Sequence, residues 1–258
     1  MSKERKSNGK VKIRGDRKTA EELSETTNRF VSPNPIKRQI KINQLPWTER
    51  QKEFFRVALD YNTKIVFVEG PAGTAKTLLS TYCGLQLLNM KVIDDIMYLR
   101  SAVESSEAKL GFLPGSADDK LRFYNLPFLD KLEELLGEAK SKRLEEEHRV
   151  SMFPVNFARG MNWSAKCIIL DEAQNSTFKE ITTVLTRLGE NSRCFILADP
   201  MQTDLRNDSS VGGFSKMFKG FSDVESAQMG VYTFKFTEED IMRSELVKFL
   251  IKRFKDIK

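Results

Sequence analysis

The run Gly70-Pro71-Ala72-Gly73-Thr74-Ala75-Lys76-Thr77 has the residue types and spacing of a phosphate-binding loop. It comes after the apolar stretch Ile65-Val66-Phe67-Val68 and precedes a segment, 76–89, that reads as a helix. A turn in that context aims backbone N–H groups and a helix N-terminus at an anion. Lys76 would reach the β- and γ-phosphates of a nucleotide, and the Thr77 hydroxyl would ligate Mg²⁺. One position departs from the pattern. The usual Gly before the Lys is Ala75, whose methyl would crowd a phosphate or oppose a positive φ.

A second site of chemistry is Ile168-Ile169-Leu170-Asp171-Glu172-Ala173-Gln174, where an apolar strand delivers two carboxylates at its end. Ligands of open α/β sheets bind outside the carboxyl ends of strands, so both motifs can share one crevice. Asp171 would then hold Mg²⁺ through water, and Glu172 would orient or deprotonate an attacking water. Alone, such an acidic pair reads as a helix cap; coupled to the phosphate loop it reads as catalytic. Ile196-Leu197-Ala198-Asp199-Pro200-Met201-Gln202 repeats the pattern. Gln202 either senses the γ-phosphate and attacking water or sits in a turn opened by Asp199-Pro200.

The elements that must position these residues alternate between strand and helix. Strands are expected at 64–69, 95–99, 167–170, 194–198 and 231–236. Helices are expected at 48–60, 76–89, 129–150 (broken at Gly137), 178–188 and 241–254. Residues 101–128 read as loop-rich, with Gly111, Pro114, Gly115 and Pro127. The alternation implies an α/β domain with a mainly parallel sheet. Residues 30–45, with Pro33 and Pro35 and then Ile36, Ile40 and Ile42, suit an extended strap or an edge strand.

Composition bounds the rest. The chain has 258 residues, 40% hydrophobic and 30% charged, with a net charge of +6. Of its 42 basic and 36 acidic residues, 12 and 5 fall within 1–45, leaving 30 and 31 elsewhere. Residues 1–28 are too polar to offset their ordering entropy and read as a disordered basic arm. Such an arm suits a nucleic-acid backbone or serves as a solubilising tail. No apolar run is long enough for a membrane span, and no secretory signal is evident. Three widely spaced cysteines argue against a disulfide framework or zinc knuckle and for a reducing, cytoplasmic setting.

With these motifs in view, the chain resembles the PhoH family of P-loop ATPases, specifically its short phage-type members, over about residues 46–254. Besides the two strand-end motifs and the phosphate loop, the likeness rests on several further runs. They are Pro46-Trp47-Thr48-Glu49-Arg50-Gln51, Arg100-Ser101-Ala102-Val103-Glu104, Lys109-Leu110-Gly111-Phe112-Leu113-Pro114-Gly115, Arg159-Gly160 and Asp240-Ile241-Met242-Arg243. Asp199-Pro200-Met201-Gln202-Thr203-Asp204-Leu205 falls in the same family order.

The resemblance implies a single RecA-like P-loop NTPase domain over 46–258, related to superfamily 1 helicases, behind the arm at 1–28 and the strap at 29–45. It implies ATP and Mg²⁺ as cofactors and RNA or single-stranded DNA as partner. By that analogy Gln51 reads adenine and Arg243 is an arginine finger, while Arg100, Lys109 and Arg159 lie near nucleic acid or phosphates. The residues themselves also allow plainer readings. Thr48-x-x-Gln51 is a capping box, and an arginine near the start of an amphipathic helix is ordinarily solvated. Phe153, Phe157 and Trp163 would stack bases or, more simply, fill core. A finger in a single-domain ATPase must act within its own domain or on a neighbour, which suggests a homo-oligomer, a hexameric ring by analogy. Two other functions compete: a nucleotide-binding adaptor that scarcely hydrolyses because of Ala75, and a nucleoside kinase.

Overall fold

The computed structural model describes residues 39–100, 117–158, 162–199 and 213–257. They belong to one unit, Pro33–Lys258. Chain order runs α1 (Glu49–Ala58), β1 (Ile65–Glu69), α2 (Lys76–Asn89), β2 (Asp95–Arg100), α3 (Ala117–Leu136), α4 (Glu138–Glu146) and β3 (Val150–Pro154). It continues with β4 (Lys166–Asp171), α5 (Phe178–Leu185), β5 (Arg193–Ala198), α6 (Gly213–Gly220), α7 (Val224–Gln228), β6 (Val231–Lys235) and α8 (Glu245–Ile257). The strands form one sheet in the order β3-β2-β4-β5-β1-β6, and every neighbouring pair is parallel. The α/β class and parallel sheet expected from the sequence are what the structure has.

The sheet is buried on both faces, as parallel sheets require, and the alternation of side chains divides its strands between two cores. Val66, Val68, Tyr98, Ile169, Phe195 and Leu197 face α1, α2 and α3, where they meet Phe54, Leu79 and Phe128. Phe67, Leu99, Ile168, Leu170 and Ile196 face α5 and α6, where they meet Ile181, Val184 and Phe214. The cysteines Cys83, Cys167 and Cys194 are buried free thiols in this interior. Trp163 is fully buried and Phe153 packs against the second core, which is the core-filling reading of both. The side chain of Phe157 lies outside the described residues. Among the described residues no helix is long and apolar enough to cross a membrane.

Four expectations are corrected. A sixth strand, β3, forms the sheet edge beside β2; its half-buried pattern carries too weak an alternation to announce itself. The helix expected from 129 begins at Ala117, runs through Pro127 and ends at Leu136, so 117–128 are not loop. A proline inside a helix removes a donor and crowds the preceding turn. Burial of Phe128, Leu129 and Leu132 just beyond it opposes that penalty. After Leu136, Gly137 at φ 80° breaks the chain into α3 and α4, as expected, and Val150 belongs to β3. The final helix begins at Glu245 rather than 241: Ile241 is extended (φ −70°, ψ 116°), and the Met242 amide is bonded to Gly73 O. The short helices α6 and α7 add to the expected set.

The described part of the 30–45 segment is a strap, not a strand. Ile40 N donates to Asn89 Oδ1 (2.7 Å), Asn89 Nδ2 donates to Ile40 O (2.9 Å), and Asn43 N donates to Leu135 O (2.8 Å). The strap therefore ties the ends of α2 and α3 together.

Phe54 of α1 is fully buried and lies 5.3 Å from the Phe234 ring, 5.9 Å from Phe236 and 6.1 Å from Phe195. It anchors α1 across β5 and β6. Phe54→Ala is expected to lower stability by about 3–5 kcal/mol, read as a shift of the urea midpoint at unchanged slope.

Candidate active site

The phosphate loop leaves β1 at Glu69 and enters α2 at Lys76. Its first residue is held by the neighbouring strand, with Gly70 N donating to Ala198 O at 3.1 Å. A Cβ at Gly70 would meet Phe236 Cβ at 2.8 Å, so this position admits little beyond glycine. Gly73 takes φ 87°, and the buried Thr74 hydroxyl donates back to Pro71 O (2.9 Å), closing the turn. Ala75 sits at φ 63°, ψ 23°. The loop keeps the left-handed conformation that glycine would take freely, and Ala75 bears the steric cost. Lys76 Nζ donates to Gly70 O (2.7 Å) and Pro71 O (3.1 Å), which folds the side chain over the loop. Burial lowers the Lys76 pKa, and the charges of Asp199, Asp171 and Glu172 act against that.

The acidic motif arrives at the end of β4. Thr77 Oγ1 donates to Asp171 Oδ2 at 2.9 Å, bridging two residues 94 apart in sequence. Tyr98 of β2 donates its hydroxyl to the same oxygen, also at 2.9 Å, and Glu172 N donates to Asp171 Oδ1 at 2.9 Å. Burial, and then the charge of Asp171, hold the Tyr98 phenol well above its usual pKa, so it is a donor.

Glu172 itself takes φ 54°, ψ 36°, a left-handed conformation for a non-glycine at a strand end. Its Oε2 accepts from Gln174 Nε2 (2.5 Å), and its Oε1 lies 3.8 Å from Arg100 Nη2. Burial, then the neighbouring Asp171 charge, raise the Glu172 pKa, against the pull of Gln174, Arg100 and Lys76. Gln174 in turn accepts from Asp199 N (3.0 Å), which couples the ends of β4 and β5.

Arg243 joins from the far end of the chain. Met242 N donates to Gly73 O at 2.9 Å, within the segment that precedes the helix starting at Glu245. Arg243 is exposed at its surface but packs on the loop: a Cβ at Gly73 would lie 2.9 Å from Arg243 Cγ. Ala72, Gly73, Ala75, Lys76, Thr77, Asp171, Glu172 and Arg243 line one cavity of about 360 Å³. That volume falls within the usual range for small-molecule sites.

The structure thus brings Lys76, Thr77, Asp171, Glu172 and Arg243 together, with Arg100 beside Glu172. Gly70 and Pro71 serve through their carbonyls, and Thr74 lies beneath the loop. Gln51 is buried, and its Oε1 accepts from Thr48 N (3.0 Å) while Thr48 Oγ1 accepts from Gln51 N (3.2 Å). The capping box is therefore formed, and Gln51 is not among the residues that line the cavity. Gln202, Lys109 and Arg159 lie outside the described residues. Sequence reasoning missed Tyr98, and missed Lys131 and Glu134, which α3 adds to the cavity wall as an ion pair of 2.9 Å. No motif marks them; only the path of α3 over α2 does.

Among the described residues no three His, Cys, Asp or Glu side chains cluster as a metal cage. A hydroxyl and one carboxylate, both hard oxygen donors, suit Mg²⁺ all the same. That ion keeps most of its waters and binds through one or two carboxylates together with substrate phosphates.

A family profile described as PhoH-like protein matches residues 44–255. The PhoH-like protein of Synechocystis sp. is 33% identical over 207 residues, covering 80% of this chain and 61% of that protein. The PhoH-like protein of Bacillus subtilis is 34% identical over 209 residues, covering 80% and 62%. Protein PhoH of Escherichia coli K12 is 33% identical over 185 residues, covering 71% and 51%. These relatives are bacterial, so the narrower likeness to phage-type members gains no support from them. The chain spans about three fifths of the length of the first two. Among solved structures, the Pif1 helicase of Candida albicans aligns with a TM-score of 0.37 and 13% identity, covering 75% of this chain and 41% of that one.

The strained loop residue supplies a direct test. Ala75→Gly is expected to raise stability by about 0.5–1 kcal/mol, since relief of the left-handed strain outweighs the added freedom of the unfolded chain. Urea denaturation without nucleotide measures it.

Proposed function

The chain belongs to the PhoH-like protein family, and on that premise we propose that it is a Mg²⁺-dependent ATPase that acts on RNA or single-stranded DNA. The observation that carries the reading is the 2.9 Å bond from Thr77 Oγ1 to Asp171 Oδ2. It joins the phosphate loop to the acidic strand end beside Lys76, the arrangement that phosphoryl transfer to water needs.

The roles derive from position. The loop amides and the uncapped N-terminus of α2 receive the phosphates. Lys76 exchanges its two carbonyl acceptors for phosphate oxygens. Thr77 and Asp171 would hold Mg²⁺, which would supply charge stabilisation to the phosphates. Glu172 orients a water for in-line attack on the γ-phosphorus and takes its proton as the bond to the β-phosphate oxygen breaks, giving ADP and phosphate. Burial and the neighbouring Asp171 charge raise the Glu172 pKa, which favours proton uptake by that carboxylate. Arg243 faces the same cavity from its own chain and would offset the charge that develops there.

The basic segment 1–45 supports a polynucleotide partner. Self-association into a ring is supported by an exposed apolar row on α8, Leu246, Phe249 and Leu250, at helical spacing. Arg243 reaches its site without a second subunit, so assembly is not needed to deliver it. The free, buried state of the three cysteines gives the kinase alternative no zinc site among the described residues.

The test is ATP hydrolysis with and without Mg²⁺, and with single-stranded RNA or DNA. Turnover should need Mg²⁺ and rise with one of the polymers. Glu172→Gln should lower it by about 100-fold or more while ATP still binds. Lys76→Ala should abolish nucleotide binding. Tight ATP binding with no turnover in the unaltered protein would replace the ATPase reading by that of a nucleotide-binding adaptor.

A further inference from the structure

Tyr98 belongs to none of the motifs and lies behind the cavity wall, yet its hydroxyl bonds a carboxylate of the site. It lies on β2, where Arg100 pairs with Asp171 in the sheet register, so Tyr98 is two residues back from the strand end. Its side chain is fully buried and its ring stacks on Phe128 of α3, at 4.5 Å between centroids and 15° between planes. The hydroxyl tip donates to Asp171 Oδ2, which also accepts from Thr77 Oγ1, both at 2.9 Å.

A lone carboxylate at a strand end can rotate about its last torsion. Here each oxygen is fixed: Oδ1 by Glu172 N, Oδ2 by two hydroxyls. One of those hydroxyls, Thr77, is itself a candidate Mg²⁺ ligand and must turn toward the ion when it serves as one. Tyr98 has no such second task, because Phe128 and the core hold it. It is the donor that remains on Asp171 when Thr77 is engaged.

We propose that Tyr98 is a positioning residue for the divalent cation: its buried hydroxyl holds the Asp171 carboxylate in the orientation that Mg²⁺ requires. This rests on the reading of Asp171 as a Mg²⁺ carboxylate. A hydrogen bond to a ligating group from the layer behind it fixes its orientation, and loss of such a bond commonly weakens metal affinity by about 10–100-fold. Phe128 and the surrounding core fill the space around the ring, and the hydroxyl orients Asp171.

Tyr98→Phe separates this role from core filling, since it keeps the ring and removes only the bond. The full chain is titrated with Mg²⁺ while binding of a fluorescent, non-hydrolysable ATP analogue is monitored, and turnover is measured in parallel. The variant is expected to need about tenfold more Mg²⁺ for half-maximal analogue binding. Binding of the analogue without metal should stay close to that of the parent. Phe128→Leu, which keeps the hydroxyl, should lower the melting temperature without that shift in Mg²⁺ dependence. A Tyr98→Phe protein whose half-saturating Mg²⁺ stays within about twofold of the parent overturns the proposal. So does parent protein whose analogue binding ignores Mg²⁺. If the parent binds the analogue in a Mg²⁺-dependent way but does not hydrolyse ATP, the ATPase reading fails while the shift in Tyr98→Phe still decides this one.

Discussion

Asp171 Oδ2 accepts hydrogen bonds from two hydroxyls on different elements, and the rest of the site is arranged around that oxygen. Thr77 belongs to the first turn of α2, Tyr98 to β2, and Asp171 to β4. For the three to meet, β2 and β4 must pair in one register, and α2 must cross the sheet from β1 to the β2 side. The two cores enforce both. A slip of one residue in β2 would turn Tyr98 and Ile96 into the α5 side and bring Met97 and Leu99 against α2 and α3. The apolar interior thus specifies where a few polar atoms stand, although it touches no substrate.

That specification is strong enough to hold the chain in unfavourable conformations at two chemically important places. Ala75 and Glu172 both adopt the left-handed region, Ala75 where the phosphate loop enters α2 and Glu172 where β4 ends. Each costs on the order of 1 kcal/mol or more. At Glu172 the strain has an evident use. It turns the carboxylate away from the strand direction toward Gln174 and Arg100, while its amide stays bonded to Asp171. Two adjacent acidic residues can then face one cavity with different partners. At Ala75 the strain has no compensating contact in the loop; the methyl packs at the edge of the α2-side core.

Much of this was legible in the sequence because the decisive signals are local. The phosphate loop, the apolar runs of β1, β4 and β5, and the Thr48 cap each lie within one short window, and α2 begins at the lysine that ends the loop motif. The positive φ at Ala75 is the one that the glycine usual at that place would supply. What escaped was non-local. Edge strand β3 is defined only by its pairing with β2. Pro127 reads as a breaker until Phe128 is seen stacked on Tyr98. Tyr98 itself looks like one more strand aromatic, since nothing near it in sequence announces a carboxylate on the neighbouring strand. Lys131 and Glu134 enter the cavity only because α3 packs over α2.

Arg243 illustrates the same division in the opposite sense. Its segment was recognisable, but an amphipathic pattern suggested a helix running through it. Ile241 is instead extended, at φ −70° and ψ 116°, and the Met242 amide donates to Gly73 O. That bond sets Arg243 against the phosphate loop, just before α8 starts at Glu245. Gly73 is required at the contact, because a side chain there would collide with Arg243. Ile241 is buried, Met242 is tied to the loop, and α8 begins just beyond, with Leu246, Phe249 and Leu250 exposed on one side. The exposed row and the phosphate loop are thus joined by the short segment 241–244, one end buried and bonded to the loop and the other continuous with the helix.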